Sequence, residues 1–165
     1  MSREDEGTDH QSSIWTVFVE GALRFPSSWI LGDGMAVSVW IPPGGSELTD
    51  EQEHRLRDRI GETLGARASR FFEVLQLMED AHPRSVDHYY LSLLGTNPDF
   101  RGRGIGMQLL SHDLTTIDRV HLPAYLESSN PDNDERYEGV GFQPTGSLQA
   151  PDGGPRVTTM WRAAH

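Results

Sequence analysis

Six residues constrain this chain more than any others: Arg101-Gly102-Arg103-Gly104-Ile105-Gly106. They follow the apolar run Tyr89-Tyr90-Leu91-Ser92-Leu93-Leu94 and precede an amphipathic stretch that begins near Ile105. Strand, glycine turn, helix is a layout that offers backbone N–H groups to an anion. The first N–H groups of a helix have no intrahelical partner, and the helix dipole adds partial positive charge there. Glycines let an anion approach, because no Cβ stands in the way. The segment therefore reads as a site for a phosphorylated ligand on an α/β framework.

The spacing excludes two familiar phosphate loops. No Gly-Lys-Ser/Thr triplet follows, so this is not a P-loop. The glycines fall at 102, 104 and 106, not at the G-x-G-x-x-G spacing of a dinucleotide fold, and no downstream acidic residue on a second strand is evident. The pattern that fits is Arg/Gln-x-x-Gly-x-Gly/Ala, carried by Arg101, Gly104 and Gly106.

That pattern resembles the acyl-CoA pyrophosphate loop of the GNAT-type N-acetyltransferases, and the resemblance runs over residues 88–162. Leu94-Gly95-Thr96-Asn97-Pro98-Asp99-Phe100 looks like the end of the family's central strand and its lead into the loop. Ala124-Tyr125-Leu126-Glu127-Ser128-Ser129 resembles the next strand, and Asn133, Tyr137 and Gly141-Phe142 follow at the family's N…Y…GF spacing. The resemblance implies a mixed, mostly antiparallel α/β sheet flanked by helices. It implies acetyl-CoA as cosubstrate and an amine as acceptor. It places acetyl and pantetheine contacts at Leu94, Gly95 and Thr96, pyrophosphate contacts at Arg101, Gly102, Arg103, Gly104, Ile105 and Gly106, and a CoA contact at Asn133. Tyr137 becomes the general acid, since a phenol with a pKa near 10 keeps its proton at neutral pH. Glu127 becomes the base, directly or through water, or the group that binds the amine's charge. A carboxylate near its reference pKa of about 4 is a weak base for an ammonium. His88 is a second base candidate because imidazole titrates near neutrality. His82 and His112 read as structural or surface residues. Alternatives remain for several positions: Asn133 as a helix N-cap, Tyr137 as a packed aromatic, Glu127 as a solvent-facing strand residue, and the arginines as surface charges.

Local signals mark the elements. Ile14, Val17, Phe18 and Ala22 recur at helical spacing over 13–23, and Pro26 closes that segment. Residues 35–41, rich in Val and Trp, read as a strand ended by Pro42-Pro43-Gly44-Gly45. Thr49-Asp50-Glu51-Gln52 opens a polar helix with a capping box, and Leu56, Ile60 and Leu64 form its stripe. Ala68, Phe71, Phe72, Leu75 and Met78 give a second helix, stopped by Pro83. Strand 88–96, helix 104–119, strand 124–128, a short helix near 133–139 and strands 141–148 and 156–162 complete the order. Residues 1–12 read as a disordered polar tail and 13–165 as one domain. The family opens with a strand and a helix ahead of the helix expected at 13–23. No such pair is evident in this sequence, which puts the acceptor pocket in question.

Composition narrows the function. Fourteen basic and 25 acidic residues give a net charge of −11, which disfavours a general nucleic-acid footprint. No apolar run is long enough to span a bilayer. The chain has no cysteine, which excludes disulfides, thiolate metal sites and a cysteine acyl carrier, and is compatible with a cytoplasmic setting. The seven histidines lack H-E-x-x-H spacing, and no G-x-S-x-G elbow exists, so neither a metal centre nor a serine nucleophile is expected. The resulting expectation is acetyl-CoA-dependent transfer to a small amine in a ternary complex. A CoA-binding protein without catalysis (sensor or subunit) and a protein or peptide N-acetyltransferase are the alternatives, and a homodimer is open.

Overall fold

The computed structural model describes residues 14–165; the tail expected at 1–12 lies outside them. Six strands form one sheet in the order β1-β2-β3-β4-β6-β5: β1 Ser28–Leu31, β2 Ala36–Ile41, β3 Tyr89–Thr96, β4 Ala124–Ser128, β5 Gln143–Gln149 and β6 Arg156–Arg162. The β3–β4 pair is parallel and every other pair is antiparallel. Helix α1 covers residues 14–22, α2 Asp50–Leu64, α3 Ala68–Ala81, α4 Ile105–Asp118 and α5 Asp134–Glu138. Among the described residues, the first element is α1 and no strand precedes it.

Alternation along β3 and β4 sorts the side chains onto two faces. Leu91 and Leu126 face α4 and share a core with Trp40, Leu110, Leu114, Ile117, Phe142 and Met160. On the opposite face, α1, α2 and α3 bury Ile14, Val17, Phe18, Leu56 and Ile60 against Leu48, with Phe72, Leu75 and Leu93 packed at the edge. The capping box forms as expected: Thr49 accepts from the Gln52 amide, and the Gln52 side chain accepts from the Thr49 amide. At the far end, Arg162 donates two hydrogen bonds to Asp118 (2.6 and 2.9 Å) and one to the Val140 carbonyl, which ties β6 to the end of α4.

Two irregularities shape the middle of the sheet. In the β2–β3 ladder, Val39 pairs with Leu93 but Trp40 pairs with Leu91, so Ser92 is an extra residue with no partner on β2. Such a bulge bends its strand and increases its twist. In the β3–β4 ladder, pairing runs only from Tyr89↔Ala124 to Leu91↔Leu126. Beyond that point β3 continues to Thr96 bonded to β2 alone, so β3 and β4 diverge.

One element differs from the sequence expectation. β1 is a four-residue strand paired with β2 across the Gly32–Met35 turn, with Gly32 and Gly34 at positive φ. Its half-exposed Ser-Trp-Ile-Leu run is too short to show a strand period.

Leu110 is fully buried between α4 and the sheet. Leu110→Ala is expected to cost about 2–5 kcal/mol, read as a lower denaturant midpoint with an unchanged slope.

Candidate active site

The divergence of β3 from β4 separates two cavities on opposite faces of the sheet. The first, about 780 Å³, is built at the β3–α4 junction and is lined by Leu94, Gly95, Thr96, Arg101, Gly102, Gly104, Ile105, Gly106, Asn133 and Tyr137, among others. Thus nearly all the residues expected to contact the cosubstrate stand around one groove. Arg103 does not line it; its guanidinium lies 5.4 Å from the Phe100 ring centroid.

The groove's shape follows from its glycines. Gly102 and Gly104 take φ of +74° and +71°, a left-handed turn that other residues enter only with strain. Gly104 is the N-cap of α4 and brings no side chain to the first helical amides, which remain directed at the groove. At Gly106 an added Cβ would stand 2.6 Å from Thr96 Oγ1, so a side chain there would displace the Thr96 hydroxyl and crowd the groove. Asn133 precedes α5 but makes no capping bond; its Oδ1 accepts from Arg136 at 2.9 Å. Tyr137 packs edge-on against Phe142, and burial, then the nearby Asp134 charge, pushes its phenol above the usual range.

The second cavity, about 760 Å³, lies on the other face between the 42–48 loop, α2, α3 and the start of β3. Glu127 reaches into it. This carboxylate is the first β4 residue past the last pair with β3, its side chain is 2% exposed, and its Oε2 has no well-aligned hydrogen-bond partner. Its counterpart across the divergence is the bulge residue Ser92, whose hydroxyl donates to Glu47 Oε1. Burial, only partly offset by that hydrogen bond and reinforced by the Glu127 charge, raises Glu47 to about 7.

Aromatic groups surround Glu127. Burial, then carboxylate charge and the approach of each phenol to Glu127, raises both Tyr90 and Tyr125, which stay protonated. His82 stands edge-on to Tyr90 and Tyr125, and its Nδ1 is 3.8 Å from Glu127 Oε1. His88 Nδ1 donates to the Val86 carbonyl (2.7 Å), because a carbonyl only accepts. Burial holds His88 below its usual range, so it is neutral and its Nε2 accepts from His82 Nε2 at 3.2 Å. That tautomer leaves His82 Nδ1 facing Glu127, with the ring a quarter exposed.

By sequence His82 reads as a structural or surface residue; the fold brings it beside Glu127. Glu47, Ser92 and Tyr90 join the site without any sequence signal that singles them out. Glu47 sits in an irregular loop and is one of 25 acidic residues, so nothing local distinguishes it. Among the described residues, no group of three His, Cys, Asp or Glu could hold a metal ion, and no helix is long and apolar enough to cross a membrane.

No family model matches the chain. Its structure is similar to that of a histone acetyltransferase HPA2 and related acetyltransferase from Corynebacterium glutamicum, with a TM-score of 0.66 at 20% identity over all of this chain and 80% of the other. It is similar to arylalkylamine N-acetyltransferase 2 from Aedes aegypti, with a TM-score of 0.63 at 14% identity over 91% of this chain and 78% of the other. The ribosomal-protein-S18-alanine N-acetyltransferase from Escherichia coli gives a TM-score of 0.52 at 13% identity, over 90% and 75%. These likenesses span most of each partner, and the glycine motif falls at the β3–α4 junction, so the chain is a GNAT-fold domain.

Proposed function

We propose that this chain is an acetyl-CoA-dependent N-acetyltransferase that acts on a small amine by direct transfer in a ternary complex. The observation that carries this reading is the pair of cavities that flank the divergence of β3 from β4, one anion-receptive, the other acidic. The residues fit the cosubstrate. The uncapped start of α4 and the left-handed glycines suit a pyrophosphate, and the free edge of β3 near Leu94–Thr96 offers backbone donors to the acyl and pantetheine groups. A small acceptor is supported by the size of the acidic cavity, about 760 Å³, which α2, α3 and the 42–48 loop wall.

In the transfer step, Glu127 binds the ammonium, and Glu47 takes its proton, a task suited to a carboxylate that titrates near 7. The amine nitrogen bonds to the acyl carbon and the carbon–sulfur bond breaks. Backbone N–H groups on the free edge of β3 stabilise charge growing on the acyl oxygen. Tyr137 gives its phenolic proton to the departing sulfur and is reprotonated from solvent, while the second proton that the nitrogen sheds as the amide forms also leaves to solvent. His82, beside Glu127 and partly exposed, carries the acceptor's proton to solvent. Holding both reactants at one opening supplies several kcal/mol of the barrier reduction.

Three outcomes test this. Saturating acetyl-CoA at about 100 times its Kd should stabilise the protein by roughly 2.7 kcal/mol, and Gly106→Val should keep the fold yet lose that shift. Tyr137→Phe should lower kcat by about 10²-fold or more with little change in the KM for acetyl-CoA. The rate should rise with pH along a limb centred near 7, the value to which Glu47 is raised. Ser92→Ala removes a hydrogen bond that favours the charged form, so the limb should move to higher pH. Glu127→Gln removes a neighbouring negative charge, so it should move to lower pH. A limb that stays in place in both variants would remove Glu47 from the mechanism.

A further inference from the structure

We propose that the acidic cavity selects a primary amine whose body is uncharged and apolar, and rejects amines that carry a carboxylate beside the nitrogen. This rests on reading the cavity as the acceptor site. The inner end holds a buried carboxylate, Glu127, on a side chain 2% exposed and lining the cavity; the Tyr90 and Tyr125 phenols reach toward it, yet its Oε2 has no well-aligned hydrogen-bond partner. An unpaired buried acceptor is costly, and an ammonium brings three donors and the compensating charge. Glu47 stands nearby with one oxygen committed to Ser92, so two carboxylates face the same small volume.

The two arginines of the lining are exposed and contact neighbours in the same wall. Arg84 bonds Glu79 at 2.6 Å, and Arg57 lies 5.5 Å from the Phe72 ring centroid. His88 is neutral, with both ring nitrogens committed, and His82 Nδ1 faces Glu127. Two further carboxylates, Glu53 and Asp87, lie at the exposed rim. A carboxylate on the α-carbon of the acceptor would enter beside Glu127 and Glu47 at the buried end, while both arginines are exposed. Like charges brought together out of water repel strongly, and such repulsion sets specificity as effectively as any attraction. The remaining wall suits an alkyl or aryl body: Phe18, Leu48, Leu56, Phe72, Leu75 and Met78.

The test is binding, measured by calorimetry on the intact chain in the presence of CoA, with three ligands of one skeleton. Pentylamine is the plain amine, norleucine adds the carboxylate, and norleucine methyl ester adds the same bulk without the charge. Pentylamine and the ester should bind within a few-fold of each other, and norleucine about 30-fold or more weaker. Glu127→Gln should shrink the gap between norleucine and its ester, and Glu47→Gln should shrink it by a smaller step. Equal binding of norleucine and pentylamine overturns the inference. So does an ester as weak as norleucine, or a gap untouched in both variants. Acetyl-CoA binding in the same samples separates the two readings. If it binds while none of the three amines does, the selectivity inference falls and the cosubstrate site stands. If it fails to bind while the amines discriminate as described, the acetyl-transfer reading falls and the amine site stands.

Discussion

Everything at this site depends on the point where β3 stops pairing with β4. The ladder ends at Leu91↔Leu126, and the next residue of β3, Ser92, is already out of register with β2. Parallel strands held between other elements normally stay paired, because an unpaired backbone group inside a protein is costly. Here the bulge twists β3 away, and the free edge it leaves behind is the kind of row that an extended amide chain can complete. The same twist turns the Ser92 hydroxyl to Glu47 and leaves Glu127 as the first β4 residue inside the opening.

The two sides of the opening have opposite electrostatic character for reasons that begin in local sequence. On one side, glycines at 102, 104 and 106 replace side chains with backbone N–H groups and a helix start. On the other side, carboxylates are held where water is scarce. Burial raises Glu47 to about 7 and keeps Tyr90 and Tyr125 protonated. Glu127 Oε2 and the Tyr125 hydroxyl, though near each other, lack a well-aligned hydrogen-bond partner. Unsatisfied polar atoms in a packed domain are unfavourable by about 1–3 kcal/mol each. The two cores on either side of the sheet, with Trp40, Leu110 and Met160 on one and Ile60 and Val17 on the other, offset that cost.

Much of this is legible in the chain. The strand–glycine–helix layout, the Thr49–Gln52 capping box and the stop at Pro83 are local signals, set by backbone chemistry within a few residues, and each appears in the fold. The groove residues are legible because they are contiguous or fall at fixed spacing. Glu47, Ser92 and His82 are not, since their meaning comes from contacts across 45 residues or more in sequence. Bulge position is likewise invisible locally: Ser92 lies in an ordinary strand run, and only pairing with β2 shows it to be the extra residue. β1 escapes a sequence reading because four half-exposed residues carry no periodic signal. The acidic cavity proposed for the acceptor is walled by α2, α3 and the 42–48 loop.

Direct transfer requires the glycine-loop groove and the acidic cavity to communicate where β3 leaves β4. The most direct measurement is the affinity of a single molecule that reaches both: CoA joined through an acetyl link to the nitrogen of pentylamine. If the cavities meet between Ser92 and Glu127, this conjugate should bind about 10²-fold or more tighter than CoA, and Glu127→Gln should erode the gain. A conjugate that binds no tighter than CoA, with CoA itself binding well, would mean that the two cavities do not communicate there.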